Sequence, residues 1–212
     1  QKQRYCNSGY FLLAVIVEKV SGKTFREFVD ERLLFKLGLR RTYCDSAARI
    51  VPGRASGYTS WSGNLSWSGN LRNAPFIRLN QTIGAGNLAS TVTDLITWQR
   101  GVMKYRLLRA ESISAIASRG QLKDGRHFNY GFGIRVTRFN GQTVIRHGGG
   151  ISGFRADLAY YPDTEITIAV LANSDGFNTA KLSDQIARRY IGLININSDP
   201  DAPQPTQIRA AP

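Results

Sequence analysis

The stretch YGFGIRVTRFNGQTVIRHGGGISGFRADLAYYPDTEITIAVLA, residues 130–172, decides the fold of this chain. In it, segments rich in β-branched and aromatic residues alternate with turn signals, the pattern of an antiparallel meander of three or four strands. Asn140-Gly141 is the strongest short hairpin signal, and Pro162-Asp163-Thr164 is typical of a second turn. The strands are expected at residues 130–139, 143–146, 154–161 and 166–172.

Helices are predicted on both sides of this segment. Residues 8–20 are densely apolar and end at the stop signal Ser21-Gly22. Thr24 and Glu27 form a capping box that opens a second helix, which ends near Gly38. Two further helices are expected at residues 93–104 and 179–191. The last of them has four apolar side chains that should face a core: Leu182, Ile186, Tyr190 and Ile191.

Helices followed by an antiparallel sheet predict an α+β protein in three parts. These are a mostly helical region with long loops (1–125), a sheet with a closing helix (126–192) and a disordered proline-rich tail (193–212). Residues 50–86 are interpreted as loop. They contain the repeat SWSGNL twice, at 60–65 and 66–71. The repeat is either a slippage duplication in a tolerant loop or a device that places Trp61 and Trp67 along a substrate cleft.

The composition is that of a folded protein with a strongly basic surface. Hydrophobic residues make up 42% of the chain and charged residues 20%, and the formal net charge is +13. The basic residues are scattered along the chain. They form pairs at Arg40-Arg41 and Arg188-Arg189 but no block of five or more consecutive basic residues. We therefore expect a solvated basic surface and no nucleic-acid partner.

The sequence offers no signal for a metal, a cofactor or a membrane span. Cys6 and Cys44 lack metal-binding spacing, and neither a metal nor an organic cofactor is expected. The longest purely apolar run, residues 11–17, is far shorter than the roughly 20 residues that span a bilayer. The chain begins without Met and without the architecture of a signal peptide, which we interpret as a truncation.

Five short motifs occur in an order that resembles one enzyme family. They are Tyr5-Cys6-Asn7 with the apolar helix after it, Leu37-Gly38-Leu39 with Thr42, Gly84-Ala85-Gly86-Asn87-Leu88 with Ser90-Thr91 and Asp94-Leu95, Tyr130-Gly131-Phe132-Gly133, and His147-Gly148-Gly149-Gly150. Over about residues 5–190 the chain resembles the class C β-lactamase-related family. That family includes penicillin-binding-protein-like carboxypeptidases, esterases and D-amino peptidases.

The resemblance implies a β-lactamase/transpeptidase-like α+β fold whose upstream sheet strands are missing from this chain. It also implies a Ser-x-x-Lys motif, in which the serine is the nucleophile and the lysine activates it. No Ser or Thr of this chain is followed by Lys at the third position. The nearest match, Ser46-x-x-Arg49, follows the Tyr5 motif instead of preceding it. We interpret the chain as the part of a hydrolase that comes after its nucleophile.

By resemblance, Tyr5 is the general acid/base, and Asn7 orients the lysine and the substrate carbonyl. A free tyrosine has a pKa of about 10, so this role requires cationic neighbours that stabilise the phenolate near neutral pH. Structural alternatives stay open for both residues. The alternative for Tyr5 is a residue that packs at the start of a helix. The alternative for Asn7 is a helix N-cap, a position that Ser8 could fill equally well.

His147 stands where many relatives carry lysine, and a histidine would hold a substrate carboxylate more weakly than a permanent ammonium. This favours ester or peptide hydrolysis over efficient β-lactamase activity; the alternative is a strand-end histidine without a role. Gly148 and Gly149 would let the strand edge approach the substrate closely, because they have no Cβ. By resemblance, the N–H of Gly150 forms half of an oxyanion hole, and the nucleophile's own N–H forms the other half.

The sequence thus predicts a serine hydrolase that cleaves an ester, amide, peptide or β-lactam through an acyl-enzyme, with this chain inactive alone. The alternative is a non-catalytic sensor or binding module that keeps the cleft. The expected partner is a small-molecule or peptide substrate. Its identity and the oligomeric state stay open. Since relatives are often exported, the resemblance suggests a periplasmic or secreted protein.

Overall fold

The computed structural model describes residues 2–62, 66–104 and 107–198 of the chain. The helices in this part are α1 (Asn7–Ser21), α2 (Phe25–Val29), α3 (Phe35–Leu37), α4 (Val92–Met103), α5 (Ala110–Ile116) and α6 (Thr179–Ser198). The strands are β1 (Tyr43–Cys44), β2 (Tyr58–Ser62), β3 (Ser66–Asn73), β4 (Leu88–Ala89), β5 (Gly120–Gln121), β6 (His127–Phe128), β7 (Arg135–Phe139), β8 (Gln142–Ile151), β9 (Phe154–Tyr161) and β10 (Ile166–Ala172).

The central sheet is the antiparallel meander expected from residues 130–172. Its four strands lie in the order β10-β9-β8-β7, and each pairs with its neighbour in the chain. Asn140 and Gly141 have φ values of 48° and 79°, the left-handed values of a type I′ hairpin turn. The bounds of β9 and β10 are those predicted. β7 is shorter than predicted, and β8 is longer because it continues through the glycine run.

Helices cover both faces of this sheet. Side chains alternate between the faces along β9, so that Tyr161 is buried against α6 while Tyr160 borders a cavity with Ile96 and Arg100 of α4. The core between the sheet and α6 is contributed by alternate residues of three strands and by one face of the helix. Its fully buried members are Val144, Ala159, Tyr161, Ile168, Val170, Ala187 and Ile191. Tyr190, predicted to belong to this core, is 59% exposed.

A smaller core lies among α2, α3 and α4. The predicted capping box is present: the Thr24 side chain accepts from the Glu27 N–H, and the Glu27 carboxylate accepts from the Thr24 N–H. A π-helical turn, Asp30–Leu34, joins α2 to α3, and Gly38 ends this helical segment with a φ of 69°. Val29 and Leu34 are buried in this core.

The interpretation of residues 50–86 as loop holds for residues 50–57 and 74–78, which form no helix or strand, and is wrong for β2 and β3. β2 and β3 form an antiparallel hairpin, and Leu79–Thr82 is a 3-10 turn. Trp61 pairs with Trp67 in register, so the two SWSGNL copies face each other across the hairpin. The Ser-Trp-Ser alternation has the two-residue period of a strand, which the high glycine and asparagine content obscured. The side chains of Trp61 and Trp67, interpreted as possible cleft residues, lie outside the described part of the structure.

Two termini also differ from prediction. Residues 193–198, assigned to a disordered tail, continue α6 as far as Ser198, and the rest of the predicted tail lies outside the described residues. α1 begins at Asn7 with Cys6 at the cap position, and no side chain makes a cap hydrogen bond there, so neither Asn7 nor Ser8 is the N-cap.

Among the described residues, no helix has both the length and the apolar character needed to cross a membrane.

Candidate active site

The glycine run of β8 forms an open strand edge. β7 pairs with β8 only from Gln142 to Arg146, whereas β9 pairs with it as far as Ile151. In a two-residue hairpin the residues that flank the turn exchange both hydrogen bonds, so the even-numbered residues of β8 direct their N–H and C=O groups toward β7. Gly148 and Gly150 follow this alternation and point to the side where β7 has ended. In the described structure, two backbone N–H donors therefore face an edge that no strand covers.

The packing inside the sheet does not explain glycine at positions 148 and 149. A Cβ built on Gly148 would meet its nearest atom, the carbonyl oxygen of Ala156, at 3.4 Å, and one on Gly149 would meet the Ala156 Cβ at 3.7 Å. Both are ordinary contacts. A Cβ on Gly150 would lie 3.0 Å from Nη1 of Arg155, which is tight. Bare backbone at 148 and 149 therefore leaves room for a molecule beside the strand.

A shallow groove of about 500 Å³ runs along this glycine segment. Its walls are residues 148–150 of β8, residues 155–157 of β9 and residues 176–180 at the start of α6. The Arg155 guanidinium lies in this wall and donates from Nη1 to the carbonyl oxygens of Ile151 and Phe154, which ties it to the turn after β8. The groove lies on the face of the sheet that α6 covers, the face to which the Val144 and Arg146 side chains also point.

A buried ion-pair network supports the glycine segment from the α6 side. Arg146 donates to Asp157 of β9 at 2.8 Å and to Asp184 of α6 at 2.7 Å. The side chains of Arg146 and Asp157 are 14% and 3% exposed. Because Asp157 pairs with Gly148 across the two strands, this network fixes the backbone directly beside the open edge.

Three aromatic side chains meet at the end of this edge. The ring centroids of Tyr5 and Tyr130 are 5.9 Å apart and edge-on, and those of Tyr130 and His147 are also 5.9 Å apart. Tyr5 stacks on His147 with centroids 6.3 Å apart. The Tyr130 hydroxyl lies 2.9 Å from Nε2 of His147, within hydrogen-bond distance. The structure therefore places Tyr5 and Tyr130 against His147, the residue that precedes the glycine run.

Burial sets the charge state of this cluster. It lowers the pKa of His147 below its ordinary value, and a hydrogen bond to the Gly148 backbone opposes that effect. Burial and the nearby Tyr5 phenol raise the pKa of Tyr130 to about 12. A lowered pKa leaves the His147 ring less protonated at a given pH than a free imidazole would be.

The remaining predicted residue, Asn7, is exposed and lies one helical position into α1, two residues after Tyr5. Tyr5 itself is 55% exposed.

Tyr130 was not among the predicted site residues. Its signal was present in the sequence as Tyr130-Gly131-Phe132-Gly133, one of the five motifs, but nothing in that motif named its partner.

Two of the other motifs build the scaffold. Asp94, at the start of α4, accepts hydrogen bonds from the Arg41 N–H and the Thr42 hydroxyl, and Thr42 also bonds Ser90. These contacts join the segment after α3 to the N-terminus of α4. The residues at 42 and 90–94 that resemble the family's motifs therefore hold two parts of the scaffold together.

The hairpin that carries the repeat lies beside the end of the glycine strand. Gly153, in the turn after β8, has a φ of 80°, and a Cβ there would lie 2.6 Å from the Cβ of Ala74 and 2.9 Å from Gly57. Gly57 and Ala74 flank the base of the β2–β3 hairpin and are joined by a hydrogen bond from the Ala74 N–H to the Gly57 carbonyl. The base of the hairpin is therefore held against the turn that closes the open edge.

Comparison with curated proteins finds D-aminopeptidases. The one from Brucella ovis is 24% identical over 174 residues, which is 81% of this chain and 32% of the relative. The one from Gluconobacter oxydans is 23% identical over 169 residues, which is 80% of this chain and 31% of the relative. The chain thus spans about a third of the length of these relatives.

Solved structures show the same fold. The octameric penicillin-binding protein homologue from Pyrococcus abyssi superposes with a TM-score of 0.74 at 26% identity, over 91% of this chain and 43% of that one. A D-amino acid amidase from Ochrobactrum anthropi gives a TM-score of 0.75 at 19% identity, over 92% of this chain and 60% of that one, a likeness of fold alone. The architecture is therefore β-lactamase/transpeptidase-like α+β, as predicted.

A sequence model of one family, described as Beta-lactamase, matches residues 1–193, nearly all of the described structure. Together with the open glycine edge and the Tyr5–Tyr130–His147 cluster, this match shows that the chain belongs to the beta-lactamase family.

Proposed function

We propose that this chain supplies the acid/base and oxyanion half of a serine acyl-hydrolase. The observation that carries the proposal is the convergence of Tyr5 and His147 on the open edge of β8, where the Gly148 and Gly150 N–H groups have no strand partner among the described residues. A serine of a Ser-x-x-Lys motif, upstream of Tyr5 in the whole protein, would attack the substrate carbonyl. The D-aminopeptidase relatives support an amide or peptide substrate.

Each residue has a role in this proposal. Tyr5 takes the proton of the serine hydroxyl as the acyl-enzyme forms and returns a proton to the leaving group. Asn7 orients the lysine and the substrate carbonyl. The Gly150 N–H donates to the negative charge that develops on the carbonyl oxygen when the serine oxygen bonds to the carbonyl carbon, together with the N–H of the serine itself. Gly148 and Gly149 leave room for the substrate backbone along the open edge of β8.

His147 contributes differently from a lysine at the same position. Burial lowers the pKa of His147, so the imidazole carries less positive charge for a substrate carboxylate than a lysine ammonium would. This favours esters, amides and amino-terminal peptide bonds over substrates that are recognised through a carboxylate next to the scissile bond.

Covalent labelling tests the proposal. A fluorophosphonate probe should label the whole protein at a single upstream serine, and Tyr5→Phe should slow labelling by about 100-fold, the usual scale for loss of a general base. Tyr190→Phe, which alters an exposed tyrosine on α6, is the matched control and should label at the unaltered rate. The 212-residue chain alone should not be labelled, because it has no Ser-x-x-Lys.

Two outcomes would overturn the proposal. Folded whole protein that is never labelled would favour the non-catalytic sensor or binding module, which keeps the cleft without the nucleophile. Stoichiometric labelling of the isolated 212-residue chain would show that the nucleophile lies within it.

A further inference from the structure

Arg155 lies directly across the sheet from Gly150, the residue whose N–H has the oxyanion role in the proposed function. The two residues pair between β8 and β9. A Cβ built on Gly150 would lie 3.0 Å from Nη1 of Arg155 and 3.3 Å from both its Cδ and its Cζ. The arginine side chain therefore folds over Gly150 and occupies the space that a side chain at position 150 would need.

The backbone of Gly150 makes no ladder hydrogen bond with Arg155. Even-numbered residues of β8 direct their N–H and C=O groups away from β9, so this is a pair without backbone hydrogen bonds. The two residues of such a pair lie closer together than those of a hydrogen-bonded pair. On its β9 side, Gly150 is therefore in contact with the arginine side chain and not with a backbone partner of its own.

The Arg155 guanidinium also holds the turn that follows Gly150. Its Nη1 donates to the carbonyl oxygen of Ile151 at 2.9 Å and to that of Phe154 at 3.0 Å. These are the two residues that flank the turn between β8 and β9. Because Ile151 follows Gly150 directly, one side chain both packs on Gly150 and restrains the backbone next to it.

The charge of this guanidinium is not balanced by a carboxylate in the part of the chain that the structure describes. Both of its hydrogen bonds named above go to carbonyl oxygens. Asp157, which lines the same groove, is paired with Arg146 instead. A permanent positive charge beside Gly150 favours negative charge on any group that the Gly150 N–H binds.

We propose that Arg155 is a positioning residue for the Gly150 N–H. Its guanidinium packs on Gly150, restrains the turn after β8 and keeps that N–H directed along the open edge, where the oxyanion would form. The same packing gives a reason for glycine at position 150. The effect on catalysis rests on the proposed function, whereas the packing of Arg155 on Gly150 is a property of the chain itself.

Labelling kinetics of the whole protein test the positioning role. Arg155→Met keeps an unbranched side chain and removes the guanidinium. The maximal rate of labelling by a fluorophosphonate should fall about 10-fold, because a displaced oxyanion donor stabilises the transition state less well. The probe concentration that gives half of the maximal rate should stay the same, since initial binding does not use this donor. An unchanged maximal rate in folded Arg155→Met would overturn the positioning role.

The matched control is Arg188→Met. Arg188 of α6 places its guanidinium over the Phe139 ring, 5.1 Å from the ring centroid, so the control also removes a guanidinium that packs on the sheet. It should label at the unaltered rate. An equal loss in Arg188→Met would show that a change of net charge, and not the contact with Gly150, slows the reaction. Circular dichroism of each variant checks that it is folded.

Gly150→Ala tests the same contact from the other strand. The new Cβ would displace the guanidinium, so this variant should slow labelling to a similar extent. The double variant Gly150→Ala/Arg155→Met should be no slower than either single variant, because all three lack the same contact. Losses that multiply, to about 100-fold in the double variant, would contradict a shared role.

Unfolding of the 212-residue chain separates this inference from the proposed function, because it needs neither nucleophile nor substrate. Gly150→Ala should lower the midpoint of denaturant unfolding when Arg155 is present, and should lower it less in an Arg155→Ala background. Equal losses in both backgrounds would show that the guanidinium does not pack on Gly150, and would leave the labelling of the whole protein standing. Whole protein that is never labelled would remove the hydrolase and the catalytic role of Arg155, while the unfolding cycle would still decide the contact.

Discussion

The two halves of the candidate site rest on regions that are packed very differently. His147 and the glycine run belong to β8, next to a core in which Val144 and Tyr161 are almost fully buried. Tyr5 and Asn7 lie at the start of α1, a helix in which Ala14 is the buried residue. The apolar side chains exposed along α1 are Leu12, Leu13, Ile16 and Val20, each more than half exposed.

This difference shows how each half is positioned. The strand edge is preset, because hydrogen bonds to β9 and the Arg146–Asp157 pair fix its backbone before any ligand arrives. The helix half depends on a few contacts, among them the Glu18 carboxylate that accepts from the Phe25 N–H and the close approach of Gly84 to the α1 backbone. The sheet half therefore has more buried support than the helix half.

The largest loss of stability is expected in the sheet half, from Asp157→Asn. This substitution leaves Arg146 buried with one carboxylate fewer, and breaking a buried pair in this way typically costs about 3 kcal/mol. The free energy of unfolding from denaturant titration gives the measurement. Glu165→Gln, which breaks the exposed Lys104–Glu165 pair, is the control and should cost less than about 1 kcal/mol. Equal small losses in both variants would contradict the assigned role of the buried network.

The helix half should respond to Gly84→Ala. Gly84 has a φ of 74°, and a Cβ there would lie 2.5 Å from the carbonyl oxygen of Tyr10 and 2.8 Å from the Cβ of Ala14. Backbone strain and the clash together should cost about 2 kcal/mol in unfolding free energy. Gly53→Ala, at a φ of 71° with open space around it, carries the strain without the clash and should cost about 1 kcal/mol. If the two losses are the same, α1 does not depend on this contact.

The smallest effect is expected on the exposed face of α1. Val20 is 83% exposed, so Val20→Gln removes little burial and should change the free energy of unfolding by less than about 0.5 kcal/mol. Val144→Ala in the sheet core, at 1% exposure, is the comparison and should cost about 2 kcal/mol. A loss above 1 kcal/mol for Val20→Gln would show that this face of α1 is covered in solution.

Much of the fold was predictable because its signals are local. Asn140-Gly141 fixes a turn type, Thr24 and Glu27 cap a helix by contacts three residues apart, and the alternation of β9 identifies its two faces. The β2–β3 hairpin was missed because serine, asparagine and glycine, which are typical of loops, make up seven of the 13 residues of its two strands. Tyr190 was misplaced because the helical pattern fits two adjacent faces of α6, and only packing against the sheet chooses between them.

The sequence by itself determined the order of the motifs, the antiparallel meander and the type of residue that stands at each position of the candidate site. The tertiary structure alone decided that β7 ends where the glycine run begins, that Tyr130 contacts both Tyr5 and His147, and that burial lowers the pKa of His147. The physical reason is the distance along the chain over which each effect acts. Turn and capping preferences act over a few residues, whereas desolvation and hydrogen-bond partners depend on groups that are far apart in the chain and meet only when it folds.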